Sequence, residues 1–111
     1  MSDLTNGEKR NLEKVLQMSG GYVLNFSNRT FGEFVSDSTG RELSDPKYSI
    51  GGSSKANLLR TFWKIEPNHI VGKLLNDLLE YLVETRVPEE NIQAFEISQR
   101  TSKRLPKALP W

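Results

Sequence analysis

The chain has 111 residues, one domain's worth of polymer, with fifteen Lys and Arg against fourteen Asp and Glu, a formal net charge of +1. It has no cysteine and one histidine. A disulfide framework, a thiolate zinc site, a cysteine nucleophile and a multi-histidine metal site are therefore excluded. No apolar run approaches the roughly 18 residues of a membrane span. The first dozen residues alternate acidic, basic and amide side chains, unlike a signal peptide. A small cytoplasmic domain is expected, with no membrane contact and no cofactor.

Charge is unevenly placed. Arg100, Lys103, Arg104 and Lys107 follow Glu96 with no acid among them, so residues 1–97 hold eleven bases against fourteen acids, a formal −3. The body lacks the basic field usual in nucleic-acid binders. Pro106 and Pro110 lie in the basic end. The expected organisation is a helical domain over 1–98 and a basic, proline-containing tail or linker over 99–111, leading toward a further domain.

Thr5 and Glu8 match a capping box, which predicts a helix over Glu8–Met18 with Leu12, Val15 and Leu16 inward, ended by Ser19-Gly20-Gly21. Tyr22-Val23-Leu24 is too short to classify. Ser27 or Asn28 can cap a second helix over Arg29–Ser38, with Phe31, Phe34 and Val35 on one face and Gly40 as its stop. Residues 39–52 form the one longer loop. Pro46 disfavours helix there, and a short strand near Tyr48 is the alternative.

Gly51-Gly52-Ser53-Ser54 opens a third helix to about Ile65, its buried side Leu58, Leu59, Phe62 and Trp63. Glu66-Pro67 breaks it. The fourth helix, Asn68–Glu84, has Ile70, Val71, Leu74, Leu75, Leu78, Leu79 and Leu82 in a wide stripe, with Lys73, Asp77, Glu80 and Glu84 on the wet side. Pro88-Glu89-Glu90 starts a short fifth helix, docked by Ile92, Phe95 and Ile97. The expected fold is all-α, a compact bundle of about five short helices.

Four features could carry chemistry. Ser53, Ser54 and Lys55 follow two glycines at a helix start and could hold a phosphate or carboxylate. The phosphate-loop spacing is absent, however, with Ala56 where a hydroxyl is needed, and a flexible turn with a serine cap explains the same residues. Arg29, Lys55, Arg60 and Lys64 are candidate nucleic-acid contacts, but Lys55 and Arg60 stand five apart and do not form one stripe. His69 could act as a base, yet it has no identifiable nucleophile. The Arg-x(4–6)-His spacing of helical ribonucleases fails too, since eight residues separate Arg60 from His69. Phe31, Phe34, Phe62 and Trp63 beside basic residues could stack bases, but at helical spacing they read as core. No catalytic, metal or cofactor residue is assigned, and the chain is expected not to be an enzyme.

Three stretches carry a resemblance: Leu24-Asn25-Phe26-Ser27-Asn28-Arg29-Thr30-Phe31-Gly32-Glu33-Phe34, the run Tyr48-Ser49-Ile50-Gly51-Gly52-Ser53-Ser54-Lys55-Ala56-Asn57-Leu58-Leu59-Arg60-Thr61-Phe62-Trp63, and Val71-Gly72-Lys73-Leu74-Leu75. Together, over about residues 22–82, they resemble small amino-terminal modules of bacterial abortive-infection, or phage-defence, proteins. The resemblance implies a module placed before a separate effector domain, acting in sensing or regulation, with no catalytic residue of its own. The expected function is a non-enzymatic regulatory or recognition module that binds a protein or nucleic-acid partner and controls the attached effector. The alternative is a direct nucleic-acid-binding domain using the basic face of the third helix. A homodimer through surplus apolar surface of the fourth helix is a third option.

Overall fold

The computed structural model describes residues 4–85 and 89–105. Its order is α1 (Asn6–Val15), α2 (Asn28–Thr39), α3 (Lys55–Ile65), α4 (Asn68–Thr85) and α5 (Ile92–Arg104), with 3₁₀ turns at Ser19–Gly21, Pro46–Ser49 and Glu89–Asn91. It is an all-α bundle, and among the described residues there is no strand.

The apolar stripe of α4 makes it the central element. Val71, Leu74, Leu75, Leu78, Leu79 and Leu82 are buried, with α2 on one side and α5 on another. α5 also lies along α1, while the first two 3₁₀ turns pack on α3. Phe31, Leu59, Phe62 and Trp63 complete the interior.

The capping box forms: the Thr5 hydroxyl accepts from the Glu8 amide at 3.1 Å, and the Thr5 amide donates to Glu8 Oε1 at 2.9 Å. Glu8 has a second task. Arg104 Nη2 donates to its Oε1 at 2.6 Å and Thr101 Oγ1 to its Oε2 at 3.3 Å, fastening the start of α1 to the end of α5. Partial burial opposes the charge of Glu8, but Arg104, the Thr5 amide and Thr101 outweigh it and hold the carboxyl below its usual range.

The fifth helix departs from expectation. It runs through Arg104, and its buried face is Ala94, Ser98, Thr101 and Ser102, followed by buried Leu105. Ile92 is exposed, and Phe95 and Ile97 are half-buried. Small side chains let α5 approach its neighbours closely, and of the predicted large residues Phe95 packs, partly buried, against the core while Ile92 does not. Residues 99–105 thus belong to the packed domain rather than to a tail. The rest of the expected tail, 106–111, and Pro88 lie outside the described residues.

The loop over 39–52 contains a 3₁₀ turn, not a strand. Pro46 sits in the first turn, where its missing N–H costs nothing, and Asp45 Oδ1 accepts from the Lys47 amide at 3.0 Å. The turn drives Tyr48 into the core, its ring stacked on Phe62 at 5.6 Å between centroids. The Tyr48 hydroxyl donates to Glu66 Oε2 at 2.6 Å, and Arg41 Nε reaches Glu66 Oε1 at 3.0 Å. Lys47 adds a longer ion pair at 3.6 Å. Glu66, which reads in sequence as part of a helix break, is the buried anchor of the loop. Burial and the Glu66 charge push the Tyr48 phenol well above its ordinary value.

Candidate recognition surface

The two glycines before α3 serve close packing. A Cβ on Gly52, at φ +117°, would lie 2.7 Å from Asn57 Nδ2, and one on Gly51 would lie 3.1 Å from Thr61 Oγ1. Ser54 caps the helix by accepting from the Asn57 amide at 3.2 Å. The loop is folded down onto α3.

Of the six predicted contact residues, Lys55 reaches across to the start of α2. Lys55 Nζ donates to Asn28 Oδ1 at 3.3 Å and stands 5.0 Å from the centre of the exposed Tyr22 ring. This joins the beginnings of α2 and α3, where Arg29 follows Asn28 and Ser53 and Ser54 precede Lys55. Arg29 is highly exposed and 3.6 Å from Glu33. Arg60 is drawn away: its Nη2 is 3.3 Å from Glu13 Oε1 and its Nη1 2.9 Å from Asn57 Oδ1. Lys64 is exposed farther along α3. His69 is half-buried in the first turn of α4 and, among the described residues, makes no ion pair.

The aromatic residues divide. Phe31, Phe62 and Trp63 are core, as their spacing suggests, but Phe34 is only half-buried. It meets Phe26 at 5.2 Å and Tyr81 at 5.8 Å, and Phe26 stacks on Tyr81 at 4.9 Å. Phe34 and Tyr81 floor a shallow, open groove of about 310 Å³ between α2 and α4, flanked by Asp37, Asp77, Glu80 and Glu84. Asp77 is compensated: Lys73 pairs with it and Ser38 Oγ donates to it at 2.6 Å. Those contacts outweigh its burial and keep its carboxyl below the usual value. Asp37, Glu80 and Glu84 make no ion pair among the described residues, and all three are exposed.

Tyr81 also lines a second depression of about 170 Å³, with Gln17, Leu24, Asn25 and Thr85 around it. The Tyr81 hydroxyl donates to Asn25 Oδ1 at 2.9 Å. Gln17 and Leu24 have φ of 53° and 48°, the left-handed region that non-glycine residues avoid. The Leu24 amide is held there by the Leu16 carbonyl at 2.8 Å. The result is one surface in two halves, acidic and aromatic on one side of Tyr81, amide- and hydroxyl-bearing on the other. Sequence reasoning missed it. Asp77, Glu80 and Glu84 read as the wet side of α4, Asp37 lies on α2, and Tyr81 carries no local signal.

Among the described residues, no group of three acidic or histidine side chains is arranged to hold a metal ion, and no helix is long and apolar enough to cross a membrane. No protein-family model matches the chain, and no curated protein or solved structure matches it either. The fold and this surface together define a helical bundle that displays a shallow patch of two aromatic rings flanked by carboxylates.

Proposed function

We propose that this domain is a non-enzymatic recognition module that binds a protein partner across Tyr81 and controls an effector attached to it, as the likeness to abortive-infection modules implies. The observation that carries the reading is the shallow groove between α2 and α4, where the partly exposed Phe34 and Tyr81 lie among acidic side chains. Partly exposed aromatic side chains on a surface are frequent anchors of a protein contact. A phage-challenge assay tests it. Cells carrying the intact gene should resist infection, and Asp37→Lys with Glu84→Lys should abolish resistance without lowering protein level. Equal plaque counts with the substituted gene would refute the use of this groove, and equal counts without the gene would refute the defence role.

A second reading, direct nucleic-acid binding, draws on Lys55, which bonds Asn28 next to Arg29 and lies beside exposed Tyr22, with Ser53 and Ser54 preceding it. It requires binding with a shallow salt dependence, because Arg29 and Lys55 would displace only about two counterions, a log–log slope near −1.8 on duplex DNA. Absence of a mobility shift at low salt would dismiss it, and a shift that survives Arg29→Ala with Lys55→Ala would place the contact elsewhere.

A further inference from the structure

We infer that the occupant of the Tyr81 groove is an extended segment of a partner protein bearing arginine or lysine. This rests on the protein-partner reading above and names the chemistry of the partner. Charge complementarity selects it. Asp37, Glu80 and Glu84 rim a groove floored by Phe34 and Tyr81, and these three carboxylates have no ion-pair partner among the described residues. An apolar segment seated there would strip water from charges and return nothing, which is unfavourable. A nucleic-acid backbone would be repelled.

A guanidinium fits both components of the site. Its plane packs on the exposed part of Phe34 or of Tyr81, whose ring is stacked on Phe26 on one side, while its edge donates to the flanking carboxylates. Asp77 contributes less, because Lys73 and Ser38 already engage it. Beyond Tyr81 the surface changes character. Gln17, Asn25 and Thr85 are neutral and exposed. Such amide and hydroxyl groups suit the peptide backbone of a segment continuing past its charged residue. The cation is read on one side of Tyr81 and the main chain on the other.

The test uses the full 111-residue chain and three fluorescent octapeptides, (Arg-Gly)4, (Gln-Gly)4 and (Glu-Gly)4, followed by anisotropy. The (Arg-Gly)4 probe should bind. Glu80→Gln with Glu84→Gln should weaken it about tenfold, since each exposed ion pair is worth at most about a factor of five. Both substitutions are at exposed positions, and circular dichroism of the variant controls for folding. The (Gln-Gly)4 and (Glu-Gly)4 probes should show no saturable binding. Equal binding of (Gln-Gly)4 that depends on Tyr81 would overturn the cationic occupant and leave the protein-partner reading standing. Absence of (Arg-Gly)4 binding, or binding unchanged by the double substitution, would also overturn it. So would light scattering that reports a dimer broken by Glu84→Lys, which would make a second copy the occupant. Failure of the protein-partner reading itself appears separately, in the phage-challenge assay.

Discussion

Replacing Tyr48 by Phe removes one oxygen from the interior and leaves the ring stack on Phe62 in place. The lost hydrogen bond is short, at 2.6 Å, and its acceptor is a carboxylate whose side chain is only 5% exposed. Hydrogen bonds to charged groups contribute about 1.5–3 kcal/mol, and water cannot readily replace a donor at this depth. The Arg41 and Lys47 side chains are 41% and 49% exposed, so their ion pairs are screened and are worth less. Tyr48→Phe should therefore cost about 2 kcal/mol, lowering the melting temperature by roughly 8 °C in a domain of this size. Lys47→Ala should cost less than about 0.5 kcal/mol. Urea unfolding followed by circular dichroism measures both. If Tyr48→Phe costs no more than Lys47→Ala, the buried Tyr48–Glu66 contact does not anchor the loop and the account of residues 39–52 is wrong.

Ser98 Oγ is buried without a hydrogen-bond partner, so Ser98→Ala should be neutral or mildly stabilising, whereas Ser98→Leu should cost about 1–3 kcal/mol by overfilling the close approach of α5; thermal melts of the pair check this. Gly52→Ala should destabilise by on the order of 1 kcal/mol or more, because the position combines φ +117° with a Cβ clash against Asn57, and a denaturation midpoint equal to wild type would contradict it. The carboxyls of Glu8 and Asp77 are held below their ordinary values of 4.5 and 3.8. A lowered folded-state value means stability that is complete above the unfolded value and lost as pH falls through the folded one. Unfolding free energy should thus fall below about pH 4.5, and Glu8→Gln should flatten the upper part of that fall, as urea titrations from pH 3 to 6 would reveal. A pure sample should show no hydrolysis of RNA, DNA or nucleotides, and activity abolished by His69→Ala would overturn the non-enzymatic reading.

The sequence signals that held were local and periodic. The Thr5–Glu8 box, the Ser27 and Ser54 caps and the paired leucines of α4 each depend on neighbours within a turn or two, and all appear where expected. Arg104 pairs with Glu8 across 96 positions, and Tyr48 with Glu66 across 18, so neither is visible as a pattern. In the fifth helix the large residues are only part of the docking: Phe95 packs on the core, but the buried face is Ala94, Ser98, Thr101 and Ser102, which a hydrophobicity pattern does not weight. The recognition surface was illegible for a related reason. Phe34 and Tyr81 lie on different helices, and only the packing of α2 on α4 turns two ordinary aromatic positions into one shallow patch. Conversely, the basic residues that looked alike in sequence separate in space: Lys55 turns to Asn28 and Arg60 to Glu13.

The central claim is that the Tyr81 groove is the contact surface, and a residue-resolved map of binding tests it most directly. In amide-shift titrations of the full chain with the (Arg-Gly)4 peptide, the largest saturable changes should fall on Phe34, Asp37, Glu80, Tyr81 and Glu84, with smaller ones at Gln17 and Asn25. Changes centred instead on Arg29, Ser53 and Lys55, or spread evenly over exposed acids, would contradict it.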